Sequence, residues 1–223
     1  MSKHSFHHIL NNMIFKDVQL IEVSDYYYEM EKHSQNSQNK YSEQLINALK
    51  ASEDGLADEE LDEYIAEIYA KGEYYKKTHA KLLRKNTFLE IYSLFENYLN
   101  KKCELCQEIL DIDIGLKDVP GKGIKRAKEY LTEHGQITAP FSSHLWRDIK
   151  LYGKVRNAIV HANSTVENKE GENKEGKNKK FGIKNLPGLI VTHKNSENFS
   201  FTLDENFVPS CLKTVRDFVD LLK

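Results

Sequence analysis

Cysteine and proline are scarce in this chain, and each shortage closes off a class of protein. Cys103, Cys106 and Cys211 are the only thiols among 223 residues. So few, in an odd number, do not make a disulfide framework; they suit reduced thiols in a cytoplasm. With four prolines in all, long stretches are free to run as helix. Between Leu56 and Leu110 there is no proline and one glycine, Gly72. No apolar run approaches the roughly 20 residues needed to span a bilayer. The first thirty residues also lack the apolar segment of a secretory signal, so the simple expectation is a cytoplasmic protein that does not engage membrane.

Net charge is missing as well. At −2 the chain is no polycation, but its charge is unevenly spread. From Glu53 to Glu73 nine acids oppose the single base Lys71. From Lys117 to His161 nine bases oppose four acids. A local basic field of this kind suits phosphate-bearing partners, although lysines on solvated helix faces account for many such segments.

With 39% hydrophobic and 30% charged residues, the composition favours a mainly α-helical protein. Residues 1–55 read as an accessory region of short helices and a loop, the loop around Ser34-Gln35-Asn36-Ser37-Gln38-Asn39. His7-His8 has no matching ligand cluster and reads as solvent-exposed. Residues 56–223 read as the main helical domain. Ala57-Asp58-Glu59-Glu60 resembles a helix start with acids in the first turn, and Gly72 is a candidate break. Phe88, Ile91-Tyr92, Phe95, Tyr98-Leu99, Cys103, Cys106 and Ile109 recur at helical period and predict a core helix. Pro120-Gly121-Lys122-Gly123 predicts a turn into a short helix from Ile124 to about Glu133. Another helix is expected from about Ser143 to Ala162. Residues 164–184, with their Glu-Asn-Lys-Glu-Gly repeat, predict a loop. Residues 188–204 predict a β-hairpin, and Phe207–Leu222 a closing amphipathic helix.

Within the 143–162 helix, Arg156-Asn157-Ala158-Ile159-Val160-His161 carries the chemistry. Arginine can hold a phosphate charge, and histidine can move protons near neutral pH. Leu145, Ile149, Tyr152, Val155, Ile159 and Val160 form a broad apolar arc. Arg147, Lys150, Lys154, Asn157 and His161 form a polar stripe opposite. Asn157 and His161, at i,i+4, can act on one ligand. Arg156 falls near the middle of the apolar arc and needs a partner there, because desolvating its charge costs several kcal/mol. Glu96, at the edge of the core helix's apolar face, is one candidate; a substrate phosphate is another. Arg156 and His161 lie roughly 140° apart on a straight helix. The long arginine side chain, a loosened helix end or a second copy of the helix across a dimer interface would close that gap.

These features resemble the HEPN superfamily of all-helical nucleases and nucleotide-binding domains. Its signature is an arginine, four to six residues, then a histidine, with a polar residue usually next to the arginine. Arg156, Asn157 and His161 match at the four-residue spacing. The resemblance runs from about Leu82 to the C-terminus and takes in the 90–104 core segment, Lys128-Glu129-Tyr130-Leu131 and Leu145-Trp146. It implies an up-and-down helical bundle and a homodimer whose two motifs line one cleft. It also implies metal-independent endoribonuclease activity with no cofactor. His161 would transfer protons, Arg156 would stabilise phosphoryl charge, Asn157 would orient His161 or hydrogen-bond the phosphate, and Glu96 would hold Arg156. The family's defence and toxin members imply an anti-phage role or a toxin paired with an antitoxin protein. Some toxins of the family are controlled at a tyrosine two residues after the histidine. Asn163 stands there, which argues against that control. A non-catalytic protein- or nucleotide-binding module is the competing expectation.

Other constellations carry less. Cys103-x-x-Cys106 falls on an apolar face with no second ligand pair, and reads as buried thiols rather than half a zinc site. Gly121-Lys122-Gly123 is not a Walker A sequence, but Lys122, Lys125 and Arg126 are candidate RNA-backbone contacts beside Arg147, Lys150 and Lys154. The charged repeat is a tolerated linker before it is a lid. Tyr26-Tyr27-Tyr28 and Tyr74-Tyr75 are packing residues before they are base-stacking platforms.

Overall fold

A computed structural model describes residues 13–53, 59–167, 182–195 and 197–222. The chain is mainly α, with a small antiparallel sheet. It divides into two compact units, Asp25–Asn86 and Met1–Ser24 with Thr87–Lys223. The α-helices are α1 (Leu20–Ala51), α2 (Glu59–Glu73), α3 (Ala80–Leu110), α4 (Gly123–Glu133), α5 (His144–His161) and α6 (Phe207–Leu221). The strands are β1 (Thr165–Glu167), β2 (Leu189–Lys194) and β3 (Asn198–Leu203).

The division differs from the one expected near residue 55. Both seams fall inside helices α1 and α3, where no proline or glycine punctuates the chain. The expected loop at Ser34–Asn39 is instead continuous helix. Serine and asparagine favour helix interiors weakly, and tertiary contacts override that preference. Ser34 is buried, and its hydroxyl donates to the carbonyl of Tyr75 at 3.3 Å. Gly72 does not end α2; a π-helical turn, Tyr74–His79, follows it and leads into α3.

In the larger unit the apolar face of α3 is the organising surface. Phe88, Ile91, Phe95, Leu99 and Cys103 are fully buried there, while Ile109 at the helix end is exposed. Phe88 meets Phe207 of α6 edge-on at 5.1 Å, and Phe95 meets Phe218 at 5.8 Å. Trp146 of α5 stacks on Phe218 at 5.4 Å. Aromatic pairs in these geometries add to the transfer free energy of the rings themselves. Helices α3, α5 and α6 thus share one core. A second π-helical turn, Ile14–Gln19, adds Phe15, stacked 4.5 Å from Tyr98.

The expected hairpin is present and belongs to a three-stranded sheet of order β1-β3-β2. Part of the expected 164–184 loop is structured: Thr165–Glu167 pairs antiparallel with β3, Thr165 opposite Ser200. The two hydroxyls lie 3.1 Å apart, a cross-strand pairing invisible to single-segment periodicity. Ile183–Asn185 forms a short 3-10 turn. Beyond Glu167 the Glu-Asn-Lys-Glu-Gly repeat lies outside the described residues, as do His7-His8 and the Ala57-Asp58 part of the expected helix start, whose Glu59-Glu60 open α2.

Candidate functional site

Helix α5 begins at Ser143, whose hydroxyl accepts from the backbone N–H of Trp146 at 3.2 Å. That cap satisfies one of the orphan donors of the first turn and sets the helix phase. Trp146, Ile149, Leu151, Tyr152, Val155 and Ala158 then face the core. The opposite face presents Arg147, Lys150, Lys154, Asn157 and His161, all exposed. The polar stripe read from the wheel is therefore open along its length. Arg147 also pairs with its neighbour Asp148 at 3.6 Å.

Arg156 is half-buried rather than enclosed. The wheel placed it within the apolar arc, but that arc thins toward the helix end. Val160, assigned to the arc, is 47% exposed. From there the guanidinium turns toward its neighbour, and Arg156 Nη1 donates to Asn157 Oδ1 at 3.2 Å. Among the described residues no carboxylate forms an ion pair with Arg156. His161 is the last residue of α5. After it Asn163 and Ser164 take left-handed conformations, with φ of 46° and 62°. They turn the chain sharply into β1, leaving the imidazole at a helix end.

Glu96 is half-buried on α3. Its carboxylate oxygens lie 3.4 and 3.5 Å from where a Cβ on Gly123 would stand. Gly123 itself has φ +57° and opens α4. The left-handed backbone favours glycine here. Glu96 thus sits against the N-terminal end of α4, where a negative charge is stabilised. Lys122, the N-cap of α4, and Lys125 are exposed; Arg126 is half-buried.

Glu96 and Arg156 both act on a residue that the sequence pattern presents only as part of an apolar face. Tyr92 feels both charges. Burial pushes its phenol up to about 12, the Glu96 carboxylate pushes the same way, and the Arg156 guanidinium opposes them. Its hydroxyl fits against α5 because position 153 is glycine. The available signal was Gly153 itself, an unfavourable residue inside an otherwise regular helix.

The thiols are placed for packing. Cys103, Cys106 and Cys211 are free and buried. Burial, with the neighbouring Cys106 and Glu104 adding to it, pushes the Cys103 thiol up to about 12, away from the thiolate that redox or metal chemistry needs. Among the described residues no group of three or more His, Cys, Asp or Glu is placed to hold a metal ion. No described helix is long and apolar enough to cross a membrane. Tyr27 is buried, whereas Tyr26, Tyr28 and Tyr74 are exposed.

No family model, curated protein or solved structure matches this chain.

Proposed function

We propose that this chain is a metal-independent endoribonuclease of the HEPN type, acting on RNA as a homodimer. The observation that carries the reading is the state of the Arg156–His161 segment. Asn157 and His161 are exposed, Arg156 has no carboxylate partner among the described residues, and Lys150 and Lys154 extend the same surface. A guanidinium with no carboxylate partner, next to a basic stripe, suits an incoming phosphate.

The chemistry follows from residue type. The ribose 2′-oxygen attacks the adjacent phosphorus; the new P–O2′ bond forms as the P–O5′ bond breaks. The His161 imidazole takes the 2′-hydroxyl proton, and water protonates the departing 5′-oxygen. Arg156 stabilises the charge gathering on the non-bridging oxygens. The products are a 2′,3′-cyclic phosphate and a 5′-hydroxyl. DNA lacks the nucleophile and is not cut. Arg156 and His161 are five residues apart, about 7.5 Å along a helix. Two copies facing each other let one subunit's guanidinium serve the other's histidine. A role as a toxin or anti-phage effector fits this activity.

The test is incubation of the purified protein with total RNA in EDTA, beside Arg156→Ala and His161→Ala. Cleavage by the parent and a large but measurable fall in both variants supports the reading. Cleavage that EDTA abolishes, or that survives His161→Ala unchanged, excludes it. Specific binding of nucleotide or protein without cleavage supports the non-catalytic module.

A further inference from the structure

Inside a helix glycine costs about 1 kcal/mol relative to alanine, yet Gly153 stands in the middle of α5. The missing side chain makes room for a neighbour. A Cβ at this position would stand 2.8 Å from Tyr92 Oη and 3.6 Å from Tyr92 Cζ. The phenol of α3 therefore ends against the bare backbone of α5. Positions 153, 156 and 157 follow helical neighbour spacing, so the hydroxyl reaches α5 one turn before Arg156 and Asn157. On α3, Glu96 lies one turn beyond Tyr92 in the same i,i+4 relation. The ring packs beside the fully buried Phe88, with centroids 6.4 Å apart. A hydroxyl seated there has one proton to give and lone pairs to offer.

We propose that Tyr92 is a positioning residue for Arg156, its hydroxyl reaching the guanidinium through the space left at Gly153 and linking it to Glu96. The role rests on the nuclease reading above. In the RNA-bound state the phenol donates toward Glu96 and accepts from Arg156. This fixes the direction in which the long arginine side chain meets the phosphate. Such an arrangement acts on the transition state more than on RNA binding, because the guanidinium's charge stays in place whether or not it is aimed.

Two substitutions probe this hydroxyl in different ways. Tyr92→Phe removes it. Gly153→Ala keeps it but drives it from its seat, while improving the helix propensity of α5. Each is made alone and on an Arg156→Ala background. RNA cleavage in EDTA gives kcat and KM, and thermal unfolding reports the fold. Each single variant is expected to lose about tenfold in kcat with KM held within about twofold. Gly153→Ala should keep or raise the unfolding midpoint. Neither substitution should cost anything further once Arg156 is gone, because the two side chains act as a unit. Full kcat in both single variants overturns the role. So does a loss that multiplies on the Arg156→Ala background, or one that merely tracks a lowered unfolding midpoint. An inactive parent enzyme overturns the nuclease reading itself, a result distinct from any of these.

Discussion

Arg156 donates from Nη1 to Oδ1 of Asn157 at 3.2 Å, so the residue beside the arginine in sequence is also its hydrogen-bond partner. Helix neighbours point about 100° apart, and only a long side chain can bend back across that angle. Asn157 therefore orients the guanidinium from the exposed side. Removing it with Asn157→Ala should lower cleavage about tenfold. Because Asn157 is exposed, unfolding free energy should change by less than about 0.5 kcal/mol. Parallel measurement of initial rates and urea unfolding separates the two effects. Unchanged rates would remove Asn157 from the site.

In the unit Asp25–Asn86 the stabilising contact is of another kind. Arg84 meets Glu31 through two donors; Nε reaches Oε2 at 3.2 Å, and Nη2 pairs with Oε1. Both side chains are largely out of water, at 17% and 8% exposed. Truncating one partner leaves a charge stranded, so Glu31→Ala should destabilise by about 3 kcal/mol. Replacing both with apolar residues of similar volume should cost much less. Denaturant unfolding of the two single variants and the double variant checks this. A double variant that loses the sum of the two single losses would show that the pair is not coupled.

Two buried groups on α3 predict opposite responses to alkaline pH. Burial pushes the Cys103 thiol from 9.0 up to about 12. Its contribution is fully present below pH 9 and falls away as pH rises toward 12, because the unfolded thiol ionises first. Burial instead lowers the Lys102 ammonium from 10.5 to about 8, although its Nζ donates to the Leu222 carbonyl at 2.6 Å. Its charged form is disfavoured in the fold, so the folded state gives up that proton first. Its contribution to stability therefore rises from pH 8 to 10.5. Against the parent, Cys103→Ala should reduce the alkaline loss of stability above pH 9. Lys102→Met should remove a gain between pH 8 and 10.5. Urea midpoints across pH 7–11 measure both, and parallel curves for all three proteins would contradict the account.

Some of this architecture is visible in the amino-acid order because its cause is local. Ser143 caps α5 and apolar residues recur along it, so the expected span from 143 to 162 lies within one residue of His144–His161 at each end. The closing helix and the β2–β3 pairing are equally local. The structure of β1 is not, since Thr165 gains its partner from Ser200, 35 residues away. The helical conformation of Ser34–Asn39 likewise depends on contacts such as Ser34 with Tyr75. At the site, the polar stripe of α5 follows from spacing alone. The half-burial of Arg156 depends on where the core ends. Tyr92 is hidden because tyrosine at a core position looks apolar in a periodic pattern, and its polar end matters only once Gly153 is brought opposite.

The proposed homodimer has its own consequence. If each site combines Arg156 of one subunit with His161 of the other, impaired Arg156→Ala and impaired His161→Ala proteins should complement. Mixing them under conditions that allow subunit exchange should restore a fraction of parental cleavage, with the assembly running at about twice the 25.9 kDa chain mass. Activity that does not rise after demonstrated exchange would place both residues of each site in one subunit.

The central claim is that His161 and Arg156 cleave RNA without a metal, using the 2′-hydroxyl. The most direct test maps the ends of RNA products made in EDTA. The account predicts 2′,3′-cyclic phosphate and 5′-hydroxyl ends from the parent, no cutting at a site carrying a single 2′-deoxy substitution, and a loss of about 10²- to 10⁴-fold with His161→Ala. Products with 5′-phosphate ends, or equal cleavage by the parent and His161→Ala, would contradict it.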